Sequence, residues 1–202
     1  MSSNNTSITS AFTGIRLEKA QLRDRIRKIL KTISPAAGLE ASQKMIRSLC
    51  EQPSWKAAQS VLLYAPLPEE LDVWPLVSRA LEEGKRIMLP RYVAEDRSYE
   101  ICPISNPSKD LQIGQYGIRE PARHCGSIPI SLLDFILVPG IAFDLHGYRL
   151  GRGKGFYDQL LKDLRGMTCG VAFDEQIVEA VPVEPHDIHV KIVLTPTRWV
   201  EL

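Results

Sequence analysis

Between residues 15 and 50 the apolar positions recur at helical spacing. Leu22, Ile26, Ile29 and Leu30 mark one stripe of a helix predicted over 15–31. The rest of that stretch carries Arg16, Lys19, Arg23, Arg25, Arg27, Lys28 and Lys31, a strongly basic surface. A second helix is predicted to open at Ser34-Pro35, an N-cap residue followed by proline at the first helical position. Leu39, Ile46 and Leu49 are its expected buried face, and Pro53 lies beyond its end.

The period then changes. Ser60–Tyr64 is a short apolar run before Pro66 and reads as a buried strand. Asp72–Glu83 is helical and stops at Gly84. Arg86–Leu89 is a strand expected to close at Pro90. Tyr99–Ile104 is a strand placed at a sheet edge, because Pro103 cannot donate to a ladder. Residues 105–130 show no long periodic run and read as loop. Phe135–Val138 is the clearest buried strand, a helix is predicted over Gly155–Leu164, and Met167–Phe173 and Lys191–Thr195 are two further strands.

Strands alternating with helices predict one α/β domain over 15–202. Its expected form is a mostly parallel sheet with helices on both faces, a three-layer α/β/α architecture. Residues 1–14 read as a mobile polar tail without the charged and apolar regions of a secretory signal. The longest nearly apolar run, Phe135–Phe143, is broken by Pro139 and Gly140 and is too short to span a bilayer. The balance of 25 basic against 24 acidic residues argues against a general nucleic-acid or membrane-surface binder. Cys50, Cys102, Cys125 and Cys169 form no C-x-x-C pair. They read as free, mostly buried thiols of a reducing cytoplasm. In such a sheet ligands sit beyond the carboxyl ends of the strands, so the loops after Tyr64, Val138 and Phe173 are where chemistry is expected.

Residues 134–158, DFILVPGIAFDLHGYRLGRGKGFYD, carry the strongest signal. A buried strand runs into a loop rich in glycine and cation, and the loop opens a helix. Gly147, Gly151, Gly153 and Gly155 allow sharp turns and close approach to a ligand. Arg149, Arg152 and Lys154 place three cations within six residues. With the unpaired amides of the following helix start, they form an expected phosphate site. The pattern is neither a Walker A loop nor a G-x-G-x-x-G fingerprint. Asp158, in the first turn of that helix, could simply rest on the helix dipole or could hold Mg²⁺ beside bound phosphates.

The run Val138-Pro-Gly-x-x-Phe-Asp144, then Gly147-x-Arg-Leu-Gly-Arg-Gly-Lys-Gly-Phe-Tyr-Asp158, resembles the 5-formyltetrahydrofolate cyclo-ligase family, also called 5,10-methenyltetrahydrofolate synthetase. Tyr64-x-Pro-x-x-x-Glu70, Tyr116-Gly-Ile-x-Glu-Pro121 and the stretch from Pro182 to Asp187 add to the match. The resemblance implies an enzyme, a ligase that closes 5-formyltetrahydrofolate to 5,10-methenyltetrahydrofolate with ATP as co-substrate and Mg²⁺ as cofactor. It implies ATP contacts at Lys19 and Arg23, four apart on one helix face, and at Arg149, Leu150, Gly151, Arg152, Gly153, Lys154, Gly155, Phe156 and Tyr157. It places the folate against Ala65, Glu70, Tyr116, Arg152, Gly153, Lys154, Gly155 and Phe156. Arg152 and Lys154 are the implied catalytic cations, and Asp158 and Asp187 the implied metal carboxylates.

The chain departs from the family pattern at Arg119, where an uncharged residue is common, and at Lys191, where an acid is frequent. A lysine turned toward Asp187 would weaken cation binding there. His186 and His189, three apart with no third ligand nearby, read as surface residues. The partners expected are the formyl folate and ATP, bound by a cytoplasmic monomer that takes neither nucleic acid nor membrane. Two other readings stay open: a paralogue or sugar-phosphate-type enzyme using the same phosphate loop on another substrate, and a folate or nucleotide binder without chemistry.

Overall fold

The computed structural model describes residues 3–114, 117–153, 155–185 and 187–202, with residues 3–13 and 163 described for backbone alone. Helices α1 (Ser3–Leu30), α2 (Pro35–Glu51) and α3 (Pro53–Ala57) precede β1 (Ser60–Leu62). Helix α4 (Trp74–Glu82) leads to β2 (Arg86–Val93) and β3 (Ser98–Ile104). A one-turn helix α5 (Pro107–Asp110) and a small hairpin, β4 (Leu111–Ile113) and β5 (Arg119–Pro121), follow. The last third holds β6 (Phe135–Pro139), the short pair β7 (Ala142–Phe143) and β8 (Arg149–Leu150), α6 (Phe156–Leu160), β9 (Met167–Val171), β10 (Ile192–Leu194) and β11 (Trp199–Glu201).

Seven strands form the central sheet in the order β11-β10-β9-β6-β1-β2-β3. The five inner strands are parallel, and β11 and β3 close the two edges antiparallel. Strand residues alternate between two cores. Val61, Leu63, Ile87, Leu89, Phe135 and Leu137 face α1 to α4, where Ile26, Leu49, Trp55 and Leu76 pack. Leu62, Met88, Ile136, Val138 and Val193 face the other way, against Phe143, Leu161 and the α6 segment. The predicted three-layer arrangement is therefore present with unequal layers: the long helices lie on one side and short elements cover the other. Ser34 caps α2 by accepting from the Ala37 amide, as the Ser-Pro start predicts. All four cysteines are free and buried.

Several boundaries differ from the sequence reading. The first helix begins at Ser3 rather than 15. Leu39, expected on the buried face of α2, is 57% exposed. The first turns of α2 stand in open space, with nothing within 4 Å of a Cβ placed on Gly38, and burial begins at Ser42 and Met45. Pro90 does not close β2, which runs on to Val93. Past Met88, β2 has lost its β1 neighbour and pairs only with β3, so the missing proline N–H can face the open side. The predicted edge strand is β3, and Pro103 sits within it. The helix predicted over 155–164 is one α-turn, Phe156–Leu160, continued by a 3₁₀ turn at Leu161–Asp163. The hairpins and β11 were too short to show a period.

Candidate active site

A cleft of about 800 Å³ opens at the carboxyl ends of β1, β2 and β6. The loop after β1 gives it Tyr64, Ala65, Leu67 and Glu70, the end of β2 gives Pro90 and Tyr92, and the end of β6 gives Pro139 and Gly140. Two of the three loops singled out by the sheet rule therefore line it. The third, after Phe173, works from behind: the Gln176 amide donates to the Gly140 and Ile141 carbonyls and fixes the turn that follows β6. Asp144, only 2% exposed, ties the next turn together. Its Oδ1 accepts from the His146 and Tyr148 amides and its Oδ2 from the Val181 amide, which anchors the 181–187 segment beside the cleft.

The glycine-rich loop forms one wall. Gly153 and Gly155 have φ of +97° and +66°, left-handed values that a side chain would strain, so the backbone turns at both points. Arg23 reaches across from α1 and donates from Nε to the Gly151 carbonyl at 2.8 Å. Burial and the nearby Arg27 hold the Arg23 pKa below its usual value. Arg149 is almost wholly buried. It grips Asp158 at 2.6 Å, lies 5.5 Å from the Tyr157 ring centre and keeps a buried Nε without a hydrogen-bond partner. Burial, with Glu70 next in effect, pushes the Tyr157 hydroxyl well above its ordinary range. That phenol stays neutral and can donate.

Arg152 crosses to the other wall. Nη1 meets Glu69 at 2.9 Å and Nη2 meets Glu70 at 2.8 Å. Burial opposes its charge, but Glu70 and Glu69 more than offset this, and the pKa lies above its usual value. The second Glu70 oxygen accepts from the Leu67 amide at 2.9 Å. Tyr92, Tyr99 and Phe156 stand edge to face with centroids 5.0–5.8 Å apart, an apolar group on the cleft.

A second group on the cleft is ionic. Lys19, one of the cations of the basic α1 face, is buried. It donates to Glu184 at 2.9 Å and to Asp187 at 2.5 Å, with Arg16 3.8 Å from Glu184. Lys191, the residue expected to disturb Asp187, turns elsewhere and donates to the Gly166 carbonyl. The cation on Asp187 is Lys19.

Of the sequence-predicted site residues, Lys19, Arg23, Ala65, Glu70, Arg149, Leu150, Gly151, Arg152, Gly153, Gly155, Phe156, Tyr157, Asp158 and Asp187 all line this one cleft. Lys154, Tyr116 and His186 lie outside the described residues. The expected helix dipole is much reduced, because α6 has a single turn. Arg16, Glu69, Tyr92, Tyr99 and Glu184 were not singled out. Arg16 stands three residues before Lys19, and that helical spacing was the one available signal. Among the described residues, the one group of three metal-ligating side chains, Asp110, His124 and Cys125, lies away from the cleft. There His124 Nε2 and Asp110 Oδ1 are 3.1 Å apart.

The sequence profile of the 5-formyltetrahydrofolate cyclo-ligase family matches residues 16–196. The chain belongs to this family. It is similar to the 5-formyltetrahydrofolate cyclo-ligase of Escherichia coli K12, with 31% identity over 177 residues, 86% of this chain and 97% of the relative. The mouse cyclo-ligase is 29% identical over 200 residues, covering 91% and 96% of the two chains. The solved structure of Aquifex aeolicus 5,10-methenyltetrahydrofolate synthetase superimposes with a TM-score of 0.83 at 36% identity, over 91% of this chain and 92% of that one. Each family motif quoted above places some of its described residues on the cleft, among them Glu70, Glu120, Gly140, Arg152 and Asp187, and Asp144 ties a turn that supports it. No helix among the described residues is long and apolar enough to cross a membrane.

Proposed function

We propose that this protein closes 5-formyltetrahydrofolate to 5,10-methenyltetrahydrofolate and releases ADP and phosphate. The observation that carries the reading is Arg152. One guanidinium joins the cationic glycine loop to Glu69 and Glu70 across a cleft that carries an ionic group and an aromatic one. A nucleotide triphosphate suits the first and a flat folate ring the second.

A formamide oxygen is a poor leaving group. Transfer of the γ-phosphoryl group from ATP to that oxygen makes it phosphate, a good one. N10 then forms its bond to the formyl carbon and gives up its proton to solvent, the carbon–oxygen bond breaks with its electron pair leaving on phosphate, and the ring closes. No nucleophilic side chain is needed, so the protein's work is alignment and charge stabilisation. Arg152, the loop amides and Lys154 would spread the charge on the transferring group. Lys19 and Arg23 would bind the triphosphate, with Arg149 shaping the loop through Asp158. Glu70 would accept paired N–H donors from the pterin, and the Ala65 and Phe156 region and Tyr116 would enclose the ring.

Asp158 and Asp187 are the proposed Mg²⁺ carboxylates. Both line the cleft beside the cationic loop, and hard oxygen donors of this kind fit the ion. Bound Mg²⁺ would neutralise part of the phosphate charge. We place the enzyme in the cytoplasm as a monomer acting on these small molecules, without nucleic acid or membrane.

The test mixes protein, ATP, Mg²⁺ and 5-formyltetrahydrofolate and follows the near-ultraviolet band of the methenyl product. Product formation that requires ATP is expected. A protein that binds both ligands and forms no methenyl product would favour the binding-module reading.

A further inference from the structure

Glu184 is a carboxylate on the cleft to which the reaction above gives no task. Its side chain is 9% exposed, and it belongs to the ionic group. Oε2 receives Lys19 at 2.9 Å, and Oε1 lies 3.8 Å from Arg16. The turn that carries it is closed on itself. The Glu184 amide donates to Asp187 Oδ2 at 2.8 Å, and the Asp187 amide donates to the Glu184 carbonyl at 3.0 Å. Asp144 holds the start of the same segment through the Val181 amide. Glu184 therefore sits on a fixed platform, and the groups it meets include the first two cations of the α1 face.

Lysine is a compact charge on a flexible four-carbon stem. Unheld, the Lys19 ammonium would sample many positions along the wall. Two carboxylates, Glu184 and Asp187, bracket it, and Arg16 balances the second negative charge. We propose that Glu184 is a positioning residue for the nucleotide: it holds Lys19, and through it α1, at the place where the triphosphate is bound. This rests on the cyclo-ligase reading of the cleft.

Simple charge counting gives the opposite sign. Glu184 is an anion beside a site for a polyanion, so removing its charge should tighten ATP binding if Glu184 does nothing else. If it positions Lys19, removing the charge should weaken ATP binding by about tenfold, the factor for one lost charge-assisted hydrogen bond. The two accounts thus differ in direction.

The experiment titrates ATP, with Mg²⁺ in fixed excess and no folate, into wild type, Glu184→Gln and Glu184→Asp by calorimetry. Steady-state KM for the formyl folate and melting temperatures are measured alongside. We expect the ATP Kd to rise about tenfold for Glu184→Gln and less for Glu184→Asp, which keeps the charge on a shorter arm. The folate KM should stay within about twofold, since the contacts that carry the argument run from Glu184 to the α1 cations. The double variant Lys19→Gln/Glu184→Gln should bind ATP no worse than Lys19→Gln alone, because the second change removes support from a group already gone. An unchanged or lowered Kd in Glu184→Gln overturns the proposal, as does an equal loss for ATP and folate. If Glu184→Gln does not fold, the comparison of Glu184→Asp with wild type decides by the same signs. Wild type that binds ATP but forms no methenyl product would refute the cyclo-ligase reading and leave the Kd comparison interpretable.

Discussion

Replacing Glu70 by glutamine isolates one carboxylate without changing its shape. In the protein Glu70 Oε1 accepts from Arg152 at 2.8 Å and Oε2 from the Leu67 amide at 2.9 Å. Glutamine offers one oxygen and one NH₂. If the oxygen keeps Leu67, the NH₂ faces the Arg152 guanidinium, donor against donor. If the amide flips, the NH₂ faces the Leu67 N–H. One hydrogen bond to a charged group is lost either way, worth about 1.5–3 kcal/mol when desolvated. In the free protein most of that loss is screened, because Arg152 is 33% exposed and keeps Glu69. The melting temperature should therefore move little. In the complex the pterin would present its own N–H donors to the same NH₂. Leaving a buried donor unpaired costs about 1–3 kcal/mol, or roughly five- to 150-fold in folate KM. Initial rates measured against each substrate at saturating levels of the other give the two KM values. The folate KM should rise in that range while the ATP KM stays within about twofold. An unchanged folate KM would return Glu70 to the role of a loop-closing residue. An equal rise for ATP would mean that releasing Arg152 disorders the phosphate loop.

Other outcomes follow from the same geometry. Arg149→Ala strips the partner from Asp158 and the cation from the Tyr157 ring; breaking so buried a pair should cost about 3–5 kcal/mol, read by urea unfolding, and a loss below about 1 kcal/mol would contradict the strut role. Asp158→Asn should raise the Mg²⁺ concentration needed for half-maximal rate more than Asp187→Asn, because Asp158 shares the glycine-rich loop and Asp187 comes from a distant turn; the reverse order, or no shift in either, would refute the metal assignment. Lys154→Ala should lower kcat by about 10²–10³ with folding intact, and half the wild-type rate at saturating ATP would remove it from the chemistry. The Ser60 hydroxyl holds the Asp134 carboxyl below the usual carboxylate range; burial opposes it, and the Ser60 and Gln59 amides add to the lowering. Its stabilisation is thus complete above the unfolded pKa of about 3.9 and lost as pH falls through the lower folded value. Asp134→Asn should flatten that acid limb in pH-dependent unfolding, and an unchanged limb would rule out Asp134 as its source.

The sequence carried the parts of this protein that have a long period or a specific motif. The parallel strands, the Ser34-Pro35 start and the glycine-rich loop after β8 could all be read from it. Elements of two or three residues, such as the β7–β8 and β4–β5 pairs, have no period to detect, and residues 105–130, which hold β4 and β5, therefore read as loop. Pairing between distant segments was equally hidden. Lys19 looks like one of seven surface cations until the 181–187 turn brings Glu184 and Asp187 over it. Glu69 looks like a solvated neighbour of Glu70 until Arg152 arrives from more than 80 residues away. Tyr92 and Tyr99 lie on adjacent strands and meet Phe156 only because the hairpin of β2 and β3 folds toward the glycine loop. The resemblance to the cyclo-ligases supplied Glu70 and Asp187 as candidates, and the fold supplied their partners.

The central claim is that the formyl oxygen leaves as part of phosphate. The direct test uses 5-formyltetrahydrofolate labelled with ¹⁸O at the formyl group, turned over with ATP and Mg²⁺, and mass spectrometry of the phosphate released. One labelled oxygen in the phosphate for each methenyl product formed is the expected result. Unlabelled phosphate, with the label recovered in water, would contradict the account.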